Sequence, residues 1–204
     1  AKATAVALPR YENEDHRIKA LYERVLKRSP SREELAGAKR FLGSAAASKA
    51  QTSGAWSYGH GRLLRGTGRV EFRVLPHYTG KAWQGGATLP DPETGWVHWH
   101  SGGGHPGQGD HAAILRWVAP SSGSIEISGE LGRPSRQGDA VRGLVVADRA
   151  VAGQWIVGPG DKMETPLNLE VTAGEIIDFL VESTGSEAWD SFQWSPVIHE
   201  RGES

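Results

Sequence analysis

The sequence predicts a mainly β protein, an antiparallel two-sheet β-sandwich of jelly-roll type, preceded by an N-terminal helical hairpin. Three observations predict it. Apolar residues follow a helical period near the N-terminus and alternate every second residue after Trp56, the spacings that line one face of a helix and of a strand respectively. Glycine and proline number 27 and 11 in 204 residues, above the ~12% of an average chain, and supply many turns. No β-α-β alternation is present, which argues against a parallel nucleotide-binding sheet.

Ile18, Leu21, Tyr22, Val25 and Leu26 fall at i, i+3, i+4, i+7 and i+8 and predict an amphipathic helix from Asp15 to Ser29. Pro30 stops it. Ser31 and Glu34 then form a capping box, each side chain satisfying the other residue's free amide. A second helix follows through Leu35, Ala38, Phe41 and Leu42. Two helices of this length bury too little apolar surface to stand alone, so the hairpin is expected to dock on other chain. Its basic residues Arg17, Lys19, Arg24, Lys27 and Arg28 read as a solvated face. The expected division is a hairpin over 1–42, a Gly/Ala/Ser-rich linker over 43–55, a β module over 56–199 and a tail over 200–204.

In the β module, Val70, Phe72 and Val74; Val97 and Trp99; Ala113, Leu115 and Trp117; and Ile125 and Ile127 repeat every second residue. So do Leu167, Leu169 and Val171; Ile177, Phe179 and Val181; and Phe192 and Trp194. Each reads as a strand with one buried face. Ser122-Gly123, Gly138-Asp139, Gly158-Pro159-Gly160 and Ala173-Gly174 mark turns between them. Trp56, Trp117, Trp155 and Trp194 sit within this apolar alternation and are assigned to the core.

A net charge of -1 gives no electrostatic reason to expect nucleic acid or an anionic membrane. The absence of cysteine excludes disulfides, thiolate nucleophiles, Cys-ligated zinc and covalent c-type haem. No apolar run approaches the ~20 residues that span a bilayer.

Chemistry concentrates between Trp96 and His111, which hold two of eight tryptophans and four of eight histidines. Strand alternation puts Val97 and Trp99 on one face and Trp96, His98 and His100 on the other. An indole flanked by imidazoles suits the C–H face of a sugar ring, with ring nitrogens bonding its hydroxyls. His98 and His100 also match the first half of a cupin metal site, because i and i+2 share a face. The glutamate such a site needs is replaced by Ser101-Gly102-Gly103-Gly104, leaving a three-histidine arrangement with His105. The glycines suit a tight bend, where His105 either bonds a ligand or pins the loop. A second stretch holds His77, Tyr78, Trp83 and Gln84, again the side chains of a carbohydrate site or of an anchored glycine-rich loop. Asp139, Asp161 and Asp190 are acidic loop positions able to serve a structural calcium ion. Asp178 and Glu182 share a strand face and are expected to meet Arg142 or solvent.

Leu21-Tyr22-Glu23-Arg24-Val25-Leu26-Lys27-Arg28, Pro30 and Glu33-Glu34-Leu35 resemble the end of a domain of unknown function in large planctomycete surface proteins, which often also carry a cytochrome c-like domain. Leu75-Pro76-His77-Tyr78-Thr79-Gly80, Trp83-Gln84-Gly85-Gly86, Pro90-Asp91-Pro92, Gly103-Gly104-His105-Pro106-Gly107, Arg116-Trp117-Val118-Ala119-Pro120 and Phe192-Gln193-Trp194-Ser195-Pro196 resemble the C-terminal module of those proteins. The resemblance implies an exported bacterial protein, with partners in upstream domains of the same polypeptide and a module similar to non-catalytic carbohydrate-binding sandwiches. His77, Trp83-Gln84 and His105 belong to that pattern, whereas His98 and His100 depart from it, which weakens the metal reading. The haem motif is absent, so no electron-transfer role carries over.

The expected function is non-catalytic binding of polysaccharide or oligosaccharide. Stacking on Trp83 and Trp96 would combine with hydrogen bonds from His77, Tyr78, Gln84, His98, His100 and His105. The competing expectations are a metal-dependent enzyme on the histidine-rich strand and a structural interaction domain.

Overall fold

The computed structural model describes residues 14–39 and 55–201, and the chain divides into two units, residues 1–45 and 46–204. In the first unit, helix α1 spans Glu14–Leu26 and helix α2 covers residues 32–39. α1 ends three residues before Ser29, because Lys27 takes a φ of 55°, the left-handed turn that stops a helix. The capping box forms: Ser31 Oγ accepts from the Glu34 amide at 3.2 Å and Glu34 Oε2 accepts from the Ser31 amide at 2.8 Å. The Arg28 guanidinium grips the same carboxylate at 2.7 and 2.6 Å. Arg28 and then the Ser31 amide hold the Glu34 carboxyl down to about 2. Ile18 is buried, while Leu21, Val25 and Leu26 remain exposed. Phe41, Leu42 and the expected linker other than Ala55 lie outside the described residues.

The second unit is an antiparallel β-sandwich. Its six-stranded sheet contains β1 (Trp56–Leu64), β2 (Arg69–Val74), β7 (Ala112–Val118), β10 (Val141–Ala147), β11 (Ala150–Val157) and β14 (Ile176–Ser183), numbered in chain order. Their spatial order is β11-β10-β14-β7-β1-β2. The seven-stranded sheet contains β3 (His77–Tyr78), β4 (Ala82–Gln84), β5 (His98–His100), β6 (Gly103–His105), β9 (Glu130–Gly132), β12 (Lys162–Glu164) and β15 (Phe192–Gln193). They run in the order β12-β9-β15-β6-β5-β4-β3. A separate sheet orders β13 (Leu167–Val171), β8 (Gly123–Ser128) and β16 (Val197–Arg201) as β13-β8-β16. The small third sheet accompanies the two expected of the sandwich. The main core draws on all of them, through Trp117 and Phe179 from the first, Trp99 and Phe192 from the second, and Ile125 and Ile127 from the third.

Alternation along β14 shows why the strands form. Ile177, Phe179 and Val181 enter this core, while Leu180 joins Leu63, Ala112, Ile114, Leu144 and Val146 in a second apolar cluster, against which Val70 and Phe72 pack. β2 can approach this closely because β1 carries glycines there. A Cβ on Gly61 would lie 1.8 Å from Glu71 O and one on Gly59 2.3 Å from the Phe72 ring. Trp117 and Trp194 are buried, and Trp56 and Trp155 pack against them partly buried. The Trp194 indole N–H donates to Thr165 Oγ1 at 3.1 Å, which satisfies the polar atom that its burial would otherwise strand.

Three further expectations are corrected. The module does not stop at residue 199: Glu200 and Arg201 pair with Ile125 and Ser124. Gly103 and Gly104, expected in a bend, form strand β6 with His105, because that strand is squeezed where side chains do not fit. Asp178 takes Arg116 at 2.7 and 2.8 Å, its cross-strand partner on β7. Arg142 instead meets Glu182 at 3.3 Å, directly opposite on β14.

Candidate functional site

Strand pairing brings the two aromatic stretches onto four adjacent strands. One row runs His77, Gln84, His98, His105, and the next runs Tyr78, Trp83, Trp99, Gly104. Directly paired residues share a face and neighbouring rows take opposite faces. Trp83 therefore lies on the core side with buried Trp99, stacked 6.2 Å from Tyr58 at 16° and 4.8 Å from Tyr78. Trp96, 43% exposed, stands 6.4 Å from His105, on the imidazole side. Trp83 and Trp96 belong to one sheet and face opposite ways.

The imidazoles form a line. His100 and His98 stack at 6.0 Å, and His98 and His105 at 6.1 Å. His98 Nδ1 meets Trp96 O at 3.0 Å and His105 Nδ1 meets Pro106 O at 2.5 Å. A carbonyl only accepts, so both Nδ1 atoms carry the proton and both Nε2 atoms keep a lone pair. His100 Nδ1 accepts from the Gly102 amide at 3.1 Å, which leaves its proton on Nε2. Burial, foremost, lowers the His98 pKa, with the like charges of His105 and His100 adding to it. The ring is neutral at pH 7. The row thus offers acceptors at His98 and His105 and a donor at His100.

Two predicted contacts are absorbed by the fold. Gln84 is buried and its Nε2 donates to Gly86 O at 2.7 Å, while buried His105 pins Pro106. Tyr78, 53% exposed, donates its hydroxyl to Gly80 O at 2.9 Å. His77 is half-buried at the edge strand. The three imidazoles lie face to face like slats and do not converge on a point. Among the described residues no group of three or more His, Asp or Glu is placed to hold a metal ion.

A cavity of about 930 Å³ is lined by Tyr58, Tyr78, Trp83, Gln84, His98 and His100, with Lys81, Leu89 and Ser101 at its margins. A second, of about 410 Å³, shares Tyr58, Trp99, His100 and Ser101 with it and extends to Trp56 and Trp117. Trp96, His77 and His105 do not line either. Sequence reasoning missed Tyr58 as a site residue: it sits on β1, in the opposite sheet, and no local pattern reports that contact.

Beside this region, His60 and His111 face each other through their Nδ1 atoms at 3.2 Å. Burial and then His111 hold His60 down to about 4, and the residue is 7% exposed. A folded pKa below the unfolded value of ~6.5 means the unfolded chain binds more protons between the two. The stabilisation is complete above pH ~6.5 and is lost as pH falls toward 4, at most about 3 kcal/mol. His60→Gln is expected to flatten urea-derived stability over that window. An unchanged slope would refute the assignment.

Asp139 and Asp190 occupy facing loops. Asp190 and Arg133 are both 0% exposed and paired at 3.0 Å, and Asp139 Oδ2 accepts from the Ser186 amide at 2.9 Å. Asp161 is exposed in its own turn, its amide donating to Gly158 O at 3.1 Å.

No family profile and no curated protein matches the sequence. Solved structures similar to part of it include a CBM51-2 and INT domain structure from Clostridium perfringens ZmpB, complexed with GlcNAc. That pair has 16% identity and a TM-score of 0.32, covering 42% of this chain and 21% of that one. The EclA C-terminal domain, described as a sugar-binding protein, has 15% identity and a TM-score of 0.38, covering 57% and 89%. The CBM36-1 domain of a multidomain xylanase from the hindgut metagenome of Trinervitermes trinervoides has 16% identity and a TM-score of 0.36, covering 62% and 89%. These likenesses are partial, and the sandwich rests on the sheet pairing described above. No helix among the described residues is long and apolar enough to cross a membrane.

Proposed function

We propose that the β unit is a non-catalytic carbohydrate-binding module of an exported bacterial protein, carried with upstream domains of the same polypeptide. One observation carries the reading: a cavity of about 930 Å³ is lined by the Tyr58–Trp83–Tyr78 aromatic stack and bordered by β5, whose imidazoles turn to the opposite face of the sheet. A sugar ring has apolar C–H faces and an equatorial rim of hydroxyls. Aromatic rings take the faces, while polar groups at the cavity border, Lys81 and Ser101 among them, take the rim. No carboxylate lines the cavity, so the acid pair that glycoside hydrolysis uses is not among its lining residues, and the reading is of binding. Trp96 adds an exposed stacking surface at the far end of the imidazole row.

Calorimetric titration of plant and algal polysaccharides and their oligosaccharides tests this. Trp83→Ala and Tyr58→Ala are each expected to weaken binding roughly 10- to 30-fold, the range for a central aromatic contact. Trp189→Ala removes an exposed indole outside the cavity and should leave affinity unchanged. Silence across the panel, or equal loss in the Trp189 variant, sinks the proposal.

A further inference from the structure

The aromatic wall of the larger cavity continues past Tyr58. Trp56 and Tyr58 share a face of β1 and stand opposite Trp117 and Leu115 of β7. The Trp56 ring lies 6.4 Å from that of Trp117 and 5.8 Å from that of Phe179, and it is only partly buried against this core. Trp56, Tyr58, Leu115 and Trp117 form one side of the smaller cavity, of about 410 Å³. Trp99, Trp194 and the start of β16, Val197 and Ile198, supply its other walls.

The two cavities adjoin, sharing Tyr58, Trp99 and Ser101, yet they differ in kind. Lys81, Gln84 and Ser101 give the larger one a polar border. The smaller is walled by four indoles and by aliphatic side chains, and Glu200 is the charged residue among those lining it. Two of its polar groups are already spent. Ser195 Oγ donates to Ser101 O at 2.7 Å, and the Trp194 indole N–H donates to Thr165 Oγ1 at 3.1 Å. A sugar ring placed here would give up water around its hydroxyls for few partners, which is unfavourable. An apolar group gives up nothing of that kind, and the volume lies within the roughly 300–1,000 Å³ of ligand pockets.

We propose that the smaller cavity receives an alkyl or acyl chain attached to the sugar that the larger cavity holds, so that the ligand is a carbohydrate bearing an apolar substituent. The inference rests on the sugar-binding reading of the larger cavity. The shared wall makes the two spaces one path: the sugar meets the polar border, and its substituent passes Tyr58 and Ser101 into the indole-lined space. No cationic side chain lines the smaller cavity, so the carboxylate of a free fatty acid finds no partner in it. The attached sugar supplies the polar end instead.

The test titrates the full chain with methyl, butyl, hexyl and octyl glucosides below their micelle-forming concentrations, and with octan-1-ol as the sugar-free control. Affinity is expected to rise roughly threefold for each added methylene, the gain from burying it. Val197 is half-exposed, so Val197→Glu charges the wall without disturbing the core and should flatten the series. Trp56→Gln should flatten it from the β1 side, with a thermal melt establishing that each variant is folded. Trp83→Ala should lower every glucoside alike and leave the slope intact. A flat series in the parent chain overturns the proposal, as does a slope that both wall variants retain. The two readings fail separately. A flat series with polysaccharide binding intact sinks this inference alone, whereas octan-1-ol binding as tightly as octyl glucoside sinks the sugar reading and the joint ligand with it.

Discussion

Arg133→Met is expected to destabilise the β unit by about 3–5 kcal/mol, because it strands a carboxylate in a site that water does not reach. Arg133 and Asp190 are each 0% exposed. A pair so buried adds little net stability, since the cost of dehydrating both ions offsets their attraction. Deleting one partner leaves that cost standing. Replacing both, as Arg133→Met with Asp190→Leu, should recover much of the loss. Urea unfolding of the three variants measures this, and a single-variant loss under about 1 kcal/mol would show that Asp190 has another source of compensation.

Gly104→Ala is the second large effect. Its new Cβ would stand 2.2 Å from His98 O and 3.1 Å from both Trp99 Cα and the Phe192 ring. Two of these are backbone atoms of β5, so the clash cannot be relieved by rotating a side chain. Overpacking of this sort costs about 3 kcal/mol or more. Accommodating the methyl group pushes β6 from β5 and shifts β5, which borders the cavity. Thermal melts should show the loss, and titration at a temperature where the variant is folded should show weakened sugar binding. A variant with parental Tm and affinity would mean that the β5–β6 contact is looser than the pairing of Trp99 with Gly104 implies. Gly107 and Gly85 are similarly hemmed in, but by loop atoms and side chains able to yield.

Much of the fold was legible because it is written in local periods. The alternation in Ile177, Phe179 and Val181 and in Ile125 and Ile127 placed strands where the structure has them, and Ser31 with Glu34 announced a helix start that forms as expected. Short strands were less legible. Gly103-Gly104-His105 has no apolar period, and its strand character comes from β5 and β15 on either side. Partner choice was also hidden: Asp178 meets Arg116 and not Arg142 because register, a long-range property, sets which charges stand opposite.

The candidate site divides along the same line. Sequence alone determined that the histidines of β5 point away from Trp99, since a strand's period of two leaves no other option. It also picked out the chemistry of both aromatic stretches by composition. Only tertiary structure decided that they lie on adjacent strands, that Trp83 and Trp96 face opposite ways, that Gln84 and His105 are spent on holding loops, and that Tyr58 completes the aromatic stack from the other sheet. The reason is physical. Side-chain direction follows from backbone geometry one residue at a time, whereas convergence depends on how strands far apart in sequence pair and pack, and that is settled by the burial of the whole core.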